Sequence, residues 1–319
     1  FYTFESEESL GRGQFGTVST ATDKVTGEVV AVKRVPRSKT TEKNFREEAE
    51  VHREVGSHPN VVGLKGVFAD DDCWYVVMEL ARGGELFDRL TTEGVVLPAD
   101  EVRSLLRETA GAVAYMHDRG IVHGDIKPEN VLLTTPLATP PTTTASASAS
   151  ASAAVTAAAT AAVAALASDG PVSASGRGGG SSPSGLGKVL LADFGSSFRL
   201  REGSGDGGKL VKEYTVAYSA PEVVENSPHV DHKADVWSLG VIAYVMVRGG
   251  HHPFDPSSEA DDDEIAESII NSEPDWDGLD LQAAQLIRRM LARDPVDRPS
   301  AQDVLTSSWL CAPSAKQGQ

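Results

Sequence analysis

The amino-acid sequence predicts an α+β fold, with strands and one helix ahead of residue 80 and mostly helices beyond residue 98. Three observations carry this. Thr17-Val18-Ser19-Thr20 and the stretch Glu28 to Val35 are strand-formers on either side of a turn at Thr26-Gly27. Glu42 to Val55 has the Glu, Arg and Ala content of a helix. Pro98 to Arg119 sets Val102, Leu105, Leu106, Val113 and Met116 at helical spacing, with Pro98-Ala99-Asp100 as its start.

Composition bounds the rest. The 319 residues allow one large domain or two lobes with a substantial core. A net charge of −17 argues against a nucleic-acid binder and against docking on anionic lipid. It suits a basic peptide partner, and plain solubility explains it equally well. Cys73 and Cys311 stand far apart, so no disulfide framework is expected. The default is a reducing compartment, cytoplasmic or nuclear. Phe1 to Gly11 lacks the basic start and apolar run of a secretory signal, and the chain reads as an excerpt of a longer one.

Leu10 to Val18 contains the spacing G-x-G-x-x-G at Gly11, Gly13 and Gly16. A dinucleotide-binding turn would open a helix here, but strand-formers follow. The expectation is a glycine-rich hairpin over phosphates, because backbone N–H groups approach phosphate oxygens closely only where side chains are absent. Lys33 ends the apolar run Val30-Ala31-Val32. Buried, its ammonium needs a partner; otherwise it extends to water. Val61 to Leu64 and Trp74 to Met78 read as two strands joined by a solvated acidic turn, Asp70-Asp71-Asp72.

Val131-Leu132-Leu133 is a short strand, after which the composition changes. Thr134 to Gly187 is dominated by Ala, Ser, Thr, Gly and Pro. Such a segment buries too little apolar area to offset the entropy of ordering it, and a disordered insertion is expected. Ala153 to Ala167 forms at best a marginal helix, too short and too weakly apolar to span a bilayer. Lys188 to Ala192 is again a strand.

His123-Gly124-Asp125-Ile126-Lys127-Pro128-Glu129-Asn130 concentrates an Asp, a Lys and an Asn in eight residues that Pro128 keeps out of a helix interior. Asp125 can accept a proton from a hydroxyl, Lys127 can face a phosphate, and Asn130 can bind a metal. Moving a phosphoryl group onto a hydroxyl needs these groups. Here the chain resembles the catalytic loop of eukaryotic protein kinases, H-R-D-L-x-x-x-N. Gly124 stands where most members carry Arg. Asp193-Phe194-Gly195, Ala220-Pro221-Glu222 and Asp235-Val236-Trp237-Ser238-Leu239-Gly240 follow in the family's order. Gly83-Gly84-Glu85-Leu86-Phe87-Asp88, Lys127-Pro128-Glu129-Asn130 and Arg293-Asp294-Pro295 resemble the calcium/calmodulin-dependent group.

The resemblance implies a bilobal fold: a small antiparallel lobe with one helix at 1–80, and a larger, mainly helical lobe at 81–133 and 188–312, interrupted by the insertion at 134–187 and followed by a tail at 313–319. It implies ATP-dependent phosphorylation of Ser or Thr in protein substrates, near basic residues. ATP would lie in the cleft against Leu10, Gly11, Gly13, Gly16, Val18 and Ala31. Met78 would limit the back of the pocket, Glu79 and Leu80 would form the hinge, and Glu129 and Leu132 would complete the surround. Lys33 would hold the α- and β-phosphates, paired with Glu48, with Glu47 as runner-up. Asp125 would be the proton acceptor, Lys127 the phosphoryl partner, and Thr215 would contact both. Asn130 and Asp193 would hold Mg²⁺. Glu85 would meet a basic residue of the substrate, or simply favour a helix N-terminus. The resemblance also implies that Glu222 pairs with Arg298 and that Asp235 accepts from the catalytic loop. Calcium or calmodulin control follows from kinship only.

Three departures stand out. His52 replaces an apolar residue beneath Phe194, and a partly buried imidazole with a looser helix is expected. Gly124 removes the arginine that holds an activation-segment phosphate, so activity should not strictly require phosphorylation between Ser196 and Tyr218. Tyr214 replaces a usual Gly. These departures motivate the alternative of a scaffold that binds nucleotide without transfer, against which stand Lys33, Glu48, Asp125, Asn130 and Asp193.

Overall fold

The computed structural model describes residues 1–12, 16–91, 96–135, 187–200, 214–255, 257 and 260–312. Two compact units divide them. The smaller holds 1–45, 63–84, 133–135 and 187; the larger holds 46–62, 85–132 and 188–312. Residues 136–186 of the expected insertion lie outside the described residues, as do Gly13 and 201–213.

The smaller unit is a five-stranded sheet. Its strands are β1 (Tyr2–Arg12), β2 (Thr17–Asp23), β3 (Val29–Pro36), β4 (Leu64–Ala69) and β5 (Cys73–Glu79), in the order β1-β2-β3-β5-β4. All neighbours are antiparallel. Gly27 turns the chain between β2 and β3 at φ +73°, a left-handed conformation that glycine adopts without strain. Alternation along the strands builds two apolar faces. Val30, Val32, Val77 and Ala21 pack on one side; Val35, Val76, Trp74 and Phe45 pack on the other. The Phe45 and Trp74 rings stack at 5.0 Å.

One strand differs from expectation. Val61 makes only an isolated bridge to Leu191, and the strand begins at Leu64. β4 is an edge strand, so its Lys65-Gly66 pair is tolerated and the apolar Val61-Val62 run is used elsewhere. The acidic turn at 70–72 is exposed as expected, and Asp70 also orders it by accepting from Asp72 N, Cys73 N and the Tyr75 hydroxyl.

Helix α1 (Glu42–Val55) runs over the expected residues. The larger unit continues with α2 (Leu86–Thr91), α3 (Ala99–His117), β6 (Ile121–Val122), β7 (Val131–Leu133), β8 (Val189–Leu191) and β9 (Phe198–Arg199). It ends with α4 (Pro221–Val224), α5 (Lys233–Val247), α6 (Asp262–Asn271), α7 (Leu281–Met290), α8 (Ala301–Leu305) and α9 (Ser308–Cys311). α5 is buried from Ala234 to Met246, which explains why it is apolar on every side. Trp237 stacks on Phe254 at 5.3 Å and lies under the Arg298 guanidinium at 5.1 Å.

His52 is more deeply buried than expected, at 4% exposure. Its Nε2 lies 2.7 Å from the Val62 carbonyl and its ring 4.8 Å from Phe194. The imidazole therefore tethers α1 to the following segment where a looser helix was expected. A main-chain acceptor makes burial of the polar ring affordable.

Candidate active site

The loop from His123 to Asn130 joins β6 to β7 and ends in a 3-10 turn at Pro128–Asn130. Asp235 anchors its start from α5. This carboxylate is 1% exposed, and it accepts from His123 N at 2.8 Å, Gly124 N at 2.9 Å and His117 Nε2 at 2.8 Å. Burial pushes the Asp235 carboxyl up, but the hydrogen bond from His117, then the N–H of Gly124, hold it below the usual range. His123 locks the loop to the next strand. Its Nδ1 accepts from Asp125 N at 3.3 Å, so Nε2 carries the proton and donates to the Ala192 carbonyl at 3.1 Å. Ala192 N in turn donates to Asn130 O at 2.9 Å. Asp193, the next residue, has φ +61°, an unusual conformation for a non-glycine residue.

The side chains of the loop converge on one carboxylate. Asp125 Oδ1 accepts from the Thr215 hydroxyl at 3.0 Å. Its Oδ2 lies 2.9 Å from Lys127 Nζ and 3.2 Å from Asn130 Nδ2. Lys127 also donates to Thr215 at 2.7 Å, which closes a ring of three residues. Asn130 Nδ2 donates again to the Asp125 carbonyl at 2.7 Å. With its amide nitrogen turned inward, the oxygen of Asn130 is the atom left as an acceptor for a cation.

A second group of acids lies beside Lys127. Burial, then the charges of Asp88 and Glu129, push the Glu85 carboxyl up to about 7 against the pull of Lys127. Burial also raises Asp88 and Glu129. Glu129 Oε2 is enclosed and has no hydrogen-bond partner among the described residues. Glu85 bridges to Leu132, which fixes where α2 begins.

In the smaller unit the register sets Gly11 opposite Val18, Val18 opposite Lys33, Val30 opposite Glu79 and Ala31 opposite Met78. Lys33 is 8% exposed. Gly16 admits no side chain, since a Cβ would lie 1.9 Å from the Arg34 carbonyl oxygen, whereas the space beside Gly11 is open. Leu10 and Leu80 are half-buried. Glu48 lies on α1, half-buried, and Glu47 is exposed.

A protein kinase domain family matches residues 4–139 and 183–310. The chain belongs to the protein kinase family. Calcium/calmodulin-dependent protein kinase type 1B of Rattus norvegicus is 30% identical over 322 residues, covering 98% of this chain and 76% of the relative. Serine/threonine-protein kinase PKZ1 of Phytophthora infestans is 31% identical over 96% of the chain and 70% of the relative. Calcium-dependent protein kinase 2 of Oryza sativa subsp. japonica is 32% identical over 97% of the chain and 50% of the relative. The kinase therefore phosphorylates Ser or Thr hydroxyls of protein substrates at the expense of ATP. Among the described residues no helix is long and apolar enough to cross a membrane.

Two kinase residues escaped the sequence reading. His117 meets Asp235 across 118 positions, a separation that leaves no local pattern. Asn60 donates to Glu108 and to the Val189 carbonyl, while Val189 N donates to the same Glu108 carboxylate.

Proposed function

We propose that Asp125 accepts the proton of the substrate hydroxyl as the phosphoryl group is transferred. The ring of Asp125, Lys127 and Thr215 carries this reading, because it holds a carboxylate and a cation in one fixed geometry. Thr215 orients one carboxylate oxygen, and Lys127 supplies positive charge for the transferring phosphoryl group. Kinases of this family generally use ATP and Mg²⁺. Asn130 and Asp193 would hold Mg²⁺ through the oxygen ligands that this ion prefers. When bound, the ion neutralises phosphate charge. Lys33 takes the α- and β-phosphates, and Leu10, Gly11, Gly13, Gly16, Val18, Ala31, Met78, Glu79 and Leu80 form the nucleotide surface. Glu48 keeps the role the resemblance gave it. Catalysis is then mostly positioning and electrostatics.

Substrates carry basic residues near the target hydroxyl. The supporting observation is the Glu85, Asp88 and Glu129 group beside Lys127, in a chain of net charge −17. The test is radiolabel transfer from ATP to a Ser peptide with upstream arginines, with Asp193→Ala as control. Strong labelling by the wild type and none by the variant is expected; equal labelling contradicts it. Replacing the arginines by alanine raises the peptide KM if the acids recognise them and leaves it unchanged if they do not. Kinship brings calcium or calmodulin control as a further reading, checked by adding both to the same assay. We infer a reducing compartment, the cytoplasm or the nucleus, a reading supported by two free cysteines far apart in sequence and checked by imaging of a tagged chain.

A further inference from the structure

His252 takes no part in the chemistry above, yet its ring makes two backbone hydrogen bonds. Nδ1 accepts from Phe254 N at 3.2 Å, and Nε2 lies 2.8 Å from the Ala217 carbonyl oxygen. A nitrogen that accepts carries no proton, so Nε2 bears it and donates to Ala217. Only the neutral ring makes both bonds. A second proton, on Nδ1, would point at the Phe254 N–H.

The two ends of this link matter. Ala217 is the middle residue of the turn Val216–Tyr218, which hangs from Thr215. Tyr218 N and the Ser219 hydroxyl both donate to the Thr215 carbonyl, at 3.1 and 2.8 Å. Phe254 stacks on Trp237, two residues from the loop anchor Asp235. The Tyr218 ring meets the imidazole edge-on at 5.6 Å. We propose that His252 is a positioning residue for phosphoryl transfer: its neutral ring ties the Val216–Tyr218 turn to the core, so that Thr215 keeps its bonds to Asp125 and Lys127. This rests on the role proposed for Thr215. The titratable groups facing the ring are Tyr218, which Glu129 in turn influences, and Asp255 on its own loop. Burial lowers the imidazole's proton affinity below the ordinary histidine value, and the Ala217 bond and Asp255 oppose this without reversing it.

Two substitutions separate the two bonds. In His252→Asn the side-chain oxygen can still accept from Phe254 N but no donor reaches Ala217. In His252→Gln the amide nitrogen reaches Ala217 and does not titrate. Initial rates with ATP and a basic Ser peptide, from about pH 5 to about pH 8, are measured below each variant's melting midpoint. For His252→Asn, kcat should fall about tenfold, the size of one hydrogen bond, with the KM for ATP unchanged. His252→Gln should stay within about twofold of wild type at neutral pH and lose less of its rate on the acid side. Any acid loss that arises elsewhere in the protein is common to both curves, so their difference reports His252. Full activity of His252→Asn, or superposable acid limbs for wild type and His252→Gln, overturns the proposal. Thr215→Ala assayed alongside tells which reading has failed: an active Thr215→Ala removes the premise, whereas an inactive one beside an intact His252→Asn removes only the histidine's role.

Discussion

Arg298 grips Glu222 with two parallel hydrogen bonds, 2.6 Å to Oε1 and 2.7 Å to Oε2. Its remaining donors reach the carbonyls of Ala292, Lys233 and Arg293, so the guanidinium is fully used at 2% exposure. Truncation leaves a buried carboxylate and several carbonyls unpaired. Arg298→Ala should therefore cost about 3–5 kcal/mol, read from denaturant midpoints. Arg298→Lys should recover little of this, because an ammonium cannot reproduce the fork.

The Thr215 hydroxyl bonds both Asp125 and Lys127. Thr215→Ala should lower kcat by about tenfold to a hundredfold, since small misplacements at a reacting centre are costly. Thr215→Ser keeps the hydroxyl and should stay close to wild type. Steady-state rates of the two variants, with melting curves to confirm folding, check this.

The proposed recognition of basic residues by Glu85 carries a pH dependence. Its carboxyl is raised to about 7, so the acid is largely neutral below that and charged above it. The KM for an arginine-containing peptide should fall as pH rises through about 7, and Glu85→Gln should flatten that profile. Stability runs the other way. An acid raised on folding binds more protons in the folded state, so its contribution declines as pH rises from its ordinary value of 4.5 toward about 7. Thermal melts of Glu85→Gln across the same range should lack this decline.

Gly124 bears on activation. It sits at φ +81°, and a Cβ there would come within 2.8 Å of the Ser196 carbonyl oxygen. With no arginine at this position, Ser196→Ala, Ser197→Ala and Ser204→Ala combined should keep activity within about tenfold of wild type. The Ser197 hydroxyl donates to the His123 carbonyl at 3.1 Å, so a modest loss is expected from that bond alone. Thr215 must be left out of such a variant, because its hydroxyl bonds Asp125 and Lys127 in the proposed catalytic ring. Near-total loss of transfer by the folded triple variant would sink the idea of phosphorylation-independent activity.

Much of this kinase was legible beforehand where a short segment carries its own chemistry. The loop from His123 to Asn130 and helix α1 stood in the residues and in their order, and the Glu222–Arg298 pair followed from the family resemblance. The strand at Leu64–Ala69 was not, because an edge strand holding Lys65 and Gly66 gives a weak apolar signal while Val61 and Val62 give a strong one. His52 was misjudged because its stability depends on a carbonyl ten residues away. His117 and His252 work through partners 118 and 35 positions distant, and nothing local announces either.

The most direct measurement is single-turnover phosphoryl transfer by Asp125→Asn, with ATP affinity measured on the same protein. The substitution keeps the shape of the side chain and removes the carboxylate, the proposed proton acceptor, that Thr215, Lys127 and Asn130 surround. Transfer should slow by about a hundredfold to ten-thousandfold while ATP binds as before. An Asp125→Asn variant that transfers phosphate at the wild-type rate would contradict the account.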